Sequence, residues 1–120
     1  MPDYANSAFE PFFLPEPLSP PISAERAGIR IDTGQIVRQT QLRSAGQNLL
    51  LIESAGSWYA PISGRETMAH LACALCAPLV LVVEPRPGCL NHVLLTCNAD
   101  PSADAAALRS AAVLLLARAA

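Results

Sequence analysis

The sequence predicts an α/β fold, and three observations predict it. Two continuous apolar runs, "NLLLIES" (48–54) and "LVLVV" (79–83), have the length and composition of buried strands. Between them Met68, Leu71, Ala72 and Leu75 fall at i, i+3, i+4 and i+7, the spacing of one helix face. After the second run, Leu90, Val93, Leu94 and Cys97 repeat a helical stripe. The order strand–helix–strand–helix implies a right-handed β-α-β unit in a partial parallel sheet with helices on both faces.

Each element has its own local signals. Residues 1–21 hold six of the eleven prolines, which remove donors and fix φ, so this is an extended segment. Its apolar residues Phe9, Phe12, Phe13 and Leu14 need a surface to pack on. "ISAERAG" reads as a short helix ending at Gly28. "DTGQ" has the form of a capping box, Asp32 with Gln35, and starts a helix over about 33–45 that stops at Gly46. "SGRE", Ser63 with Glu66, reads as a second capping box for the helix that Pro78 ends. Asp100 followed by Pro101 predicts an N-cap with proline at the first helical position, opening an alanine-rich C-terminal helix. The chain thus divides into an extended segment (1–21), a partial α/β domain (22–97) and a terminal helical stretch (98–120). Two parallel strands leave edges and faces open, so the chain is expected to be part of a larger α/β unit or to complete itself by pairing.

Composition narrows the function classes. Hydrophobic residues make up 52% and charged residues 15%, as expected for a chain that buries much of itself. A net charge of −2 without a basic cluster argues against nucleic acid as a partner. All the basic residues are arginines, so no lysine is present for a Schiff base or for the phosphate grip of a P-loop. The apolar runs are too short to span a bilayer, and the N-terminal residues lack the pattern of a secretory signal. With four cysteines and no such signal, reduced thiols and a cytoplasmic location are expected.

Three stretches can carry chemistry. Glu53 closes the first apolar run, and the carboxyl end of a parallel strand is where open α/β sheets bind ligands. A carboxylate there can hold Mg²⁺, and Gly56 beside it allows close backbone approach; the plainer reading is a solvated strand-end glutamate. Gly88, Cys89, Leu90 and Asn91 open a helix after the second run. Free amides and the helix dipole there suit an anion, though an ordinary βα turn explains the same residues. Cys73, Cys76, Cys89 and His92 form C-x2-C-x12-C-x2-H, a zinc-like spacing. Against zinc, the first pair sits inside a helix and a whole strand separates the two pairs. "ESAGS" is not a G-x-S-x-G elbow, which leaves a serine hydrolase unsupported.

Taken together, "LPEPLSPPISAERAG", "LLLIESAGSWYAPISGRETMAHLA" and "PLVLVVEPRPGCLNHVLLT" resemble the dethiobiotin synthetase family in order and spacing, over roughly residues 6–97. The resemblance implies a P-loop NTPase-like sheet and a ligase of biotin synthesis that uses ATP and Mg²⁺. In that family 7,8-diaminopelargonate is carboxylated, the carbamate is activated by the γ-phosphate, and the ureido ring closes. Glu53 matches the family's magnesium-binding glutamate, in a nucleotide-binding strand end that includes Gly56. Gly88, Cys89, Leu90 and Asn91 match the helix N-terminus that holds the substrate carboxylate across a homodimer interface.

The sequence also departs from the family. The lysine-bearing P-loop has no counterpart, Ser54 and Ser57 replace glycines, His70 stands where Asp is common, and Pro21 where His is common. Without the P-loop charges, the isolated chain is expected not to turn over substrate. A P-loop-bearing partner chain, a non-catalytic dimerising module and a small zinc domain are the alternatives.

Overall fold

The computed structural model describes residues 9–98 and the backbone of a strand at 112–115. The proline-rich segment is anchored rather than helical. The backbone N–H of Glu16 donates to the buried Ser23 hydroxyl at 3.3 Å, and Arg26 pairs with Glu16 at 2.8 Å. Helix α1 spans Pro20–Ala27 and begins earlier than "ISAERAG" suggests, because both prolines fit a first helical turn whose amides need no partner. It ends at Gly28 in the left-handed conformation, as expected.

Helix α2 spans Thr33–Ser44, and the Asp32 side chain accepts from the Gln35 amide at 3.2 Å. The Asp32 half of the expected box is made, and the helix ends at Ser44 with Ala45 as its C-cap, one residue before Gly46.

Helix α3 spans Met68–Leu75, but it starts later than "SGRE" implies. Ser63 and Glu66 do interact: the Glu66 amide donates to the Ser63 hydroxyl at 3.2 Å, and the Ser63 amide to the Glu66 carbonyl at 3.2 Å. That spacing closes a turn instead of a helix. The N-cap is Thr67, whose amide donates to Nδ1 of His70 at 3.1 Å. The helix ends at Cys76, held at φ 50° in the left-handed region.

The strands are the main correction. Residues 48–54 form no strand; Leu49, Leu51 and Ile52 are 75%, 82% and 47% exposed. An apolar run becomes a strand only when a neighbour takes its backbone groups, and no neighbour is present among the described residues. Strand β1 is Val80–Val83, inside the expected 79–83. It is not covered on both faces: Val83 is buried, while Val80 and Val82 are more than half exposed. Its partner is β2, Ala112–Leu115, paired in parallel with Val80 opposite Ala112 and Val83 opposite Leu115. A continuous helix over 98–120 is therefore overturned at 112–115. A short apolar run beside an open strand edge gains ladder bonds that outweigh alanine's helix preference. The rest of that predicted helix, with Asp100 and Pro101, lies outside the described residues.

Helix α4, Cys89–Cys97, lies in the crossover that parallel pairing requires. Its stripe is displaced from the expected one. Leu90 and Leu94 are 70% and 60% exposed, and the less exposed positions are Cys89, Val93 and Thr96. Among the described residues the buried apolar side chains are Ala24, Ile62, Met68, Ala69 and Val83. Ile62, Met68 and Ala69 lie where α3 and the turn before it meet, Ala24 is on α1 and Val83 on β1, and α2 packs on α3.

Candidate functional site

The turn before α3 is built from backbone carbonyls. The first amides of α3 have no partner within the helix, and the chain folds back to supply one. Met68 N–H donates to the Ala60 carbonyl and Ala69 N–H to the Trp58 carbonyl, each at 2.9 Å. Ile62 N–H donates to the Glu66 carbonyl at 2.8 Å, and Pro61 and Thr67 form an antiparallel bridge. Glu66 ties this corner to α2: the Thr33 hydroxyl donates to its Oε1 at 2.7 Å and the Ser63 hydroxyl to its Oε2 at 3.3 Å.

Residues 53–57 hang from this frame. Gly56 has φ +97°, and a Cβ added there would come within 3.0 Å of the Ala60 side chain. The turn itself therefore demands glycine. The Ser54 hydroxyl donates to the Gly56 carbonyl at 3.2 Å.

Glu53 and Gly56 share one open cleft of about 610 Å³. Its other wall is the proline-rich segment, with Glu10, Phe12, Leu14 and Ser19. Two carboxylates and a hydroxyl bordering one cleft are oxygen donors of the kind Mg²⁺ prefers. Glu10 and Ser19 were not legible as site residues, because nothing in their local sequence says which loop they will face.

Gly88, Cys89, Leu90 and Asn91 do not line that cleft. They form the N-terminus of α4, with Gly88 as N-cap at φ 89°. A Cβ on Gly88 would meet nothing within 4 Å, so space lies open above the helix end. The Cys89 amide already donates to the Arg86 carbonyl at 3.0 Å, and the His92 amide closes on the Gly88 carbonyl at 3.2 Å. The amides of Leu90 and Asn91, both exposed residues, are the ones directed at that end of the helix. The structure therefore does not bring the two sequence-derived sites into one cleft of this chain. Among the described residues no three His, Cys, Asp or Glu side chains gather into a group that could hold a metal ion, the C-x2-C-x12-C-x2-H set included. No helix among them is long and apolar enough to cross a membrane.

Comparison with known proteins decides the family. The family described as AAA domain matches residues 2–115. The chain belongs to this family. Its domain is of the P-loop NTPase type, and the chain is dethiobiotin synthetase-like. Similar proteins include the ATP-dependent dethiobiotin synthetase BioD of Xanthomonas axonopodis pv. citri, 41% identical over 99 residues, covering 82% of this chain and 43% of that protein. The proteins of the same name from Nitrosospira multiformis and Pseudomonas aeruginosa are 39% and 37% identical, covering 74% and 79% of this chain. They are covered to 39% and 42% of their own length. The chain thus spans less than half the length of these curated relatives.

Proposed function

We propose that this chain supplies part of a dethiobiotin synthetase, the ATP- and Mg²⁺-dependent enzyme that carboxylates 7,8-diaminopelargonate and closes the ureido ring. The observation that carries the proposal is the similarity to relatives bearing that name over about four-fifths of the chain. Glu53 would hold Mg²⁺ at the cleft, with Gly56 in the backbone facing the nucleotide. When bound, the metal would offset phosphate charge during transfer. The α4 N-terminus from Gly88 to Asn91 would hold a substrate carboxylate through amide hydrogen bonds and the helix dipole. Because it does not line the Glu53 cleft, it suits the cleft of another protomer in a homodimer.

These 120 residues contain no lysine to grip phosphate, so the isolated chain is proposed to be inactive and to need a P-loop-bearing polypeptide. Incubation with ATP, Mg²⁺, bicarbonate and diaminopelargonate tests this. No dethiobiotin is expected from the chain alone, and product is expected once a P-loop polypeptide is added. Product from the chain alone would refute inactivity. A second reading, a non-catalytic interaction module, draws on the exposed apolar residues at 49–52 and along β1; absence of product with every added P-loop polypeptide would favour it.

A further inference from the structure

The cap of α3 depends on a histidine in one protonation state. Nδ1 of His70 receives the Thr67 backbone N–H at 3.1 Å and lies 2.9 Å from the Thr67 hydroxyl. A backbone N–H can only donate, so Nδ1 must carry a lone pair and the ring proton must sit on Nε2. Threonine at the N-cap with an acceptor three residues on is the capping-box arrangement, usually completed by Glu or Gln. Here a titratable imidazole takes the acceptor's place. Protonation turns Nδ1 into a donor facing another donor, and places a positive charge at the positive end of the helix.

We infer that His70 makes the N-terminus of α3 a pH-sensitive latch on the loop that carries Gly56 and Glu53. The connection is short. The two amides after Thr67 hold the loop by its Ala60 and Trp58 carbonyls, and Ala60 is the side chain against which Gly56 turns. Fraying at Thr67 therefore releases the bonds that shape the wall of the cleft.

The charged groups of the neighbouring elements have partners of their own or are exposed. On the preceding turn, Glu66 accepts from Thr33 and Ser63, and Arg65 is exposed. On α2 and its cap, Asp32 and Arg38 pair at 3.6 Å and Arg43 lies over the Phe9 ring. The rest of α3 carries Cys73, and Cys76 is its C-cap. Among the described residues His70 forms no ion pair that would fix its charge.

The sign follows directly. The latch is closed while Nδ1 keeps its lone pair for the Thr67 amide and opens when acid places a proton there. The test is hydrogen exchange of the Thr67, Met68 and Ala69 amides in the intact chain, expressed as protection so that intrinsic pH effects cancel. Protection should drop about five-fold between pH 8 and pH 5.5, the size of a lost N-cap. His70→Gln supplies a neutral acceptor and should remain protected at both values. Equal wild-type protection at both pH values, or an undiminished pH dependence in His70→Gln, would overturn the inference. Nitrogen NMR of the unaltered chain gives a second readout that needs no variant. The Nε2–H tautomer is expected near pH 8, and an Nδ1–H tautomer would exclude the latch. Neither measurement involves metal or nucleotide, so the outcome is independent of the proposed ligase role.

Discussion

The corner formed by residues 56–76 and the apolar run at 48–54 lie next to each other in the chain and fare oppositely. The corner is polar and glycine-bearing for much of its length, yet it contains Ile62, Met68 and Ala69, three of the five buried apolar residues described. The run has leucine or isoleucine at four consecutive positions, 49–52, yet it lies open to solvent. Hydrophobicity supplies a driving force, but a strand also needs partners for its backbone groups. The corner finds them within itself, through the Trp58, Ala60 and Glu66 carbonyls. The run does not. Order in this chain follows satisfied hydrogen bonds more closely than it follows apolar content.

The largest expected effect comes from emptying the corner. Met68 is 8% exposed, at the start of α3 and in the middle of the small core. Met68→Ala should cost about 2–5 kcal/mol, which a core of this size cannot spare. Urea denaturation followed by far-UV circular dichroism measures it. A loss under about 1 kcal/mol would mean that the corner is not the centre of stability.

Next in size is the link between the corner and α2. Thr33→Val removes the hydroxyl that donates to Glu66 at 2.7 Å and nearly preserves shape. A hydrogen bond to a charged, half-buried acceptor predicts a loss of about 1.5–3 kcal/mol, toward the lower end because Ser63 still serves Glu66. If Thr33→Val and Glu66→Gln together cost no more than the larger of the two alone, the link is the shared cause.

These contrasts also show how much was legible in advance. Caps made of a short polar side chain three residues from its partner were readable, as with Asp32 and Gln35, since they depend only on local geometry. The same pattern at Ser63 and Glu66 gave the right contact in the wrong structure, because the hydrogen bonds cannot say whether the chain continues as helix or turn. The strand at 48–54 and the helix at 112–115 were misread for one reason: both outcomes turn on whether an open strand edge lies alongside. Glu53 and Gly88 could each be singled out in sequence as candidates, but that they do not line one cleft, and that Glu10 and Ser19 border the same cleft as Glu53, depends on tertiary placement.

A smaller change in the opposite direction sharpens the picture at the far end of α3. Cys76 occupies a left-handed C-cap at φ 50°, where glycine is the usual residue. Cys76→Gly relieves the Cβ clash and should stabilise by about 0.5–1 kcal/mol, less what the thiol gains from the Cys73 carbonyl at 3.2 Å. A rise in the urea midpoint at constant slope is the expected result. Destabilisation would mean that the thiol contact outweighs the strain.

The smallest expected effect is the most informative about the run. Leu51 is 82% exposed. If it stands in solvent as described, Leu51→Asp should change the stability of the isolated chain by less than about 0.5 kcal/mol. The same substitution places a charge in the middle of a run whose composition suits a strand buried on both faces. A P-loop-bearing polypeptide that restored activity by pairing with residues 48–54 would have to bury that charge, and breaking such a contact costs several kcal/mol. The variant should therefore be silent in the isolated chain and should abolish complementation. A loss above about 1 kcal/mol in the isolated chain, growing with protein concentration, would instead show that a second copy already covers the run.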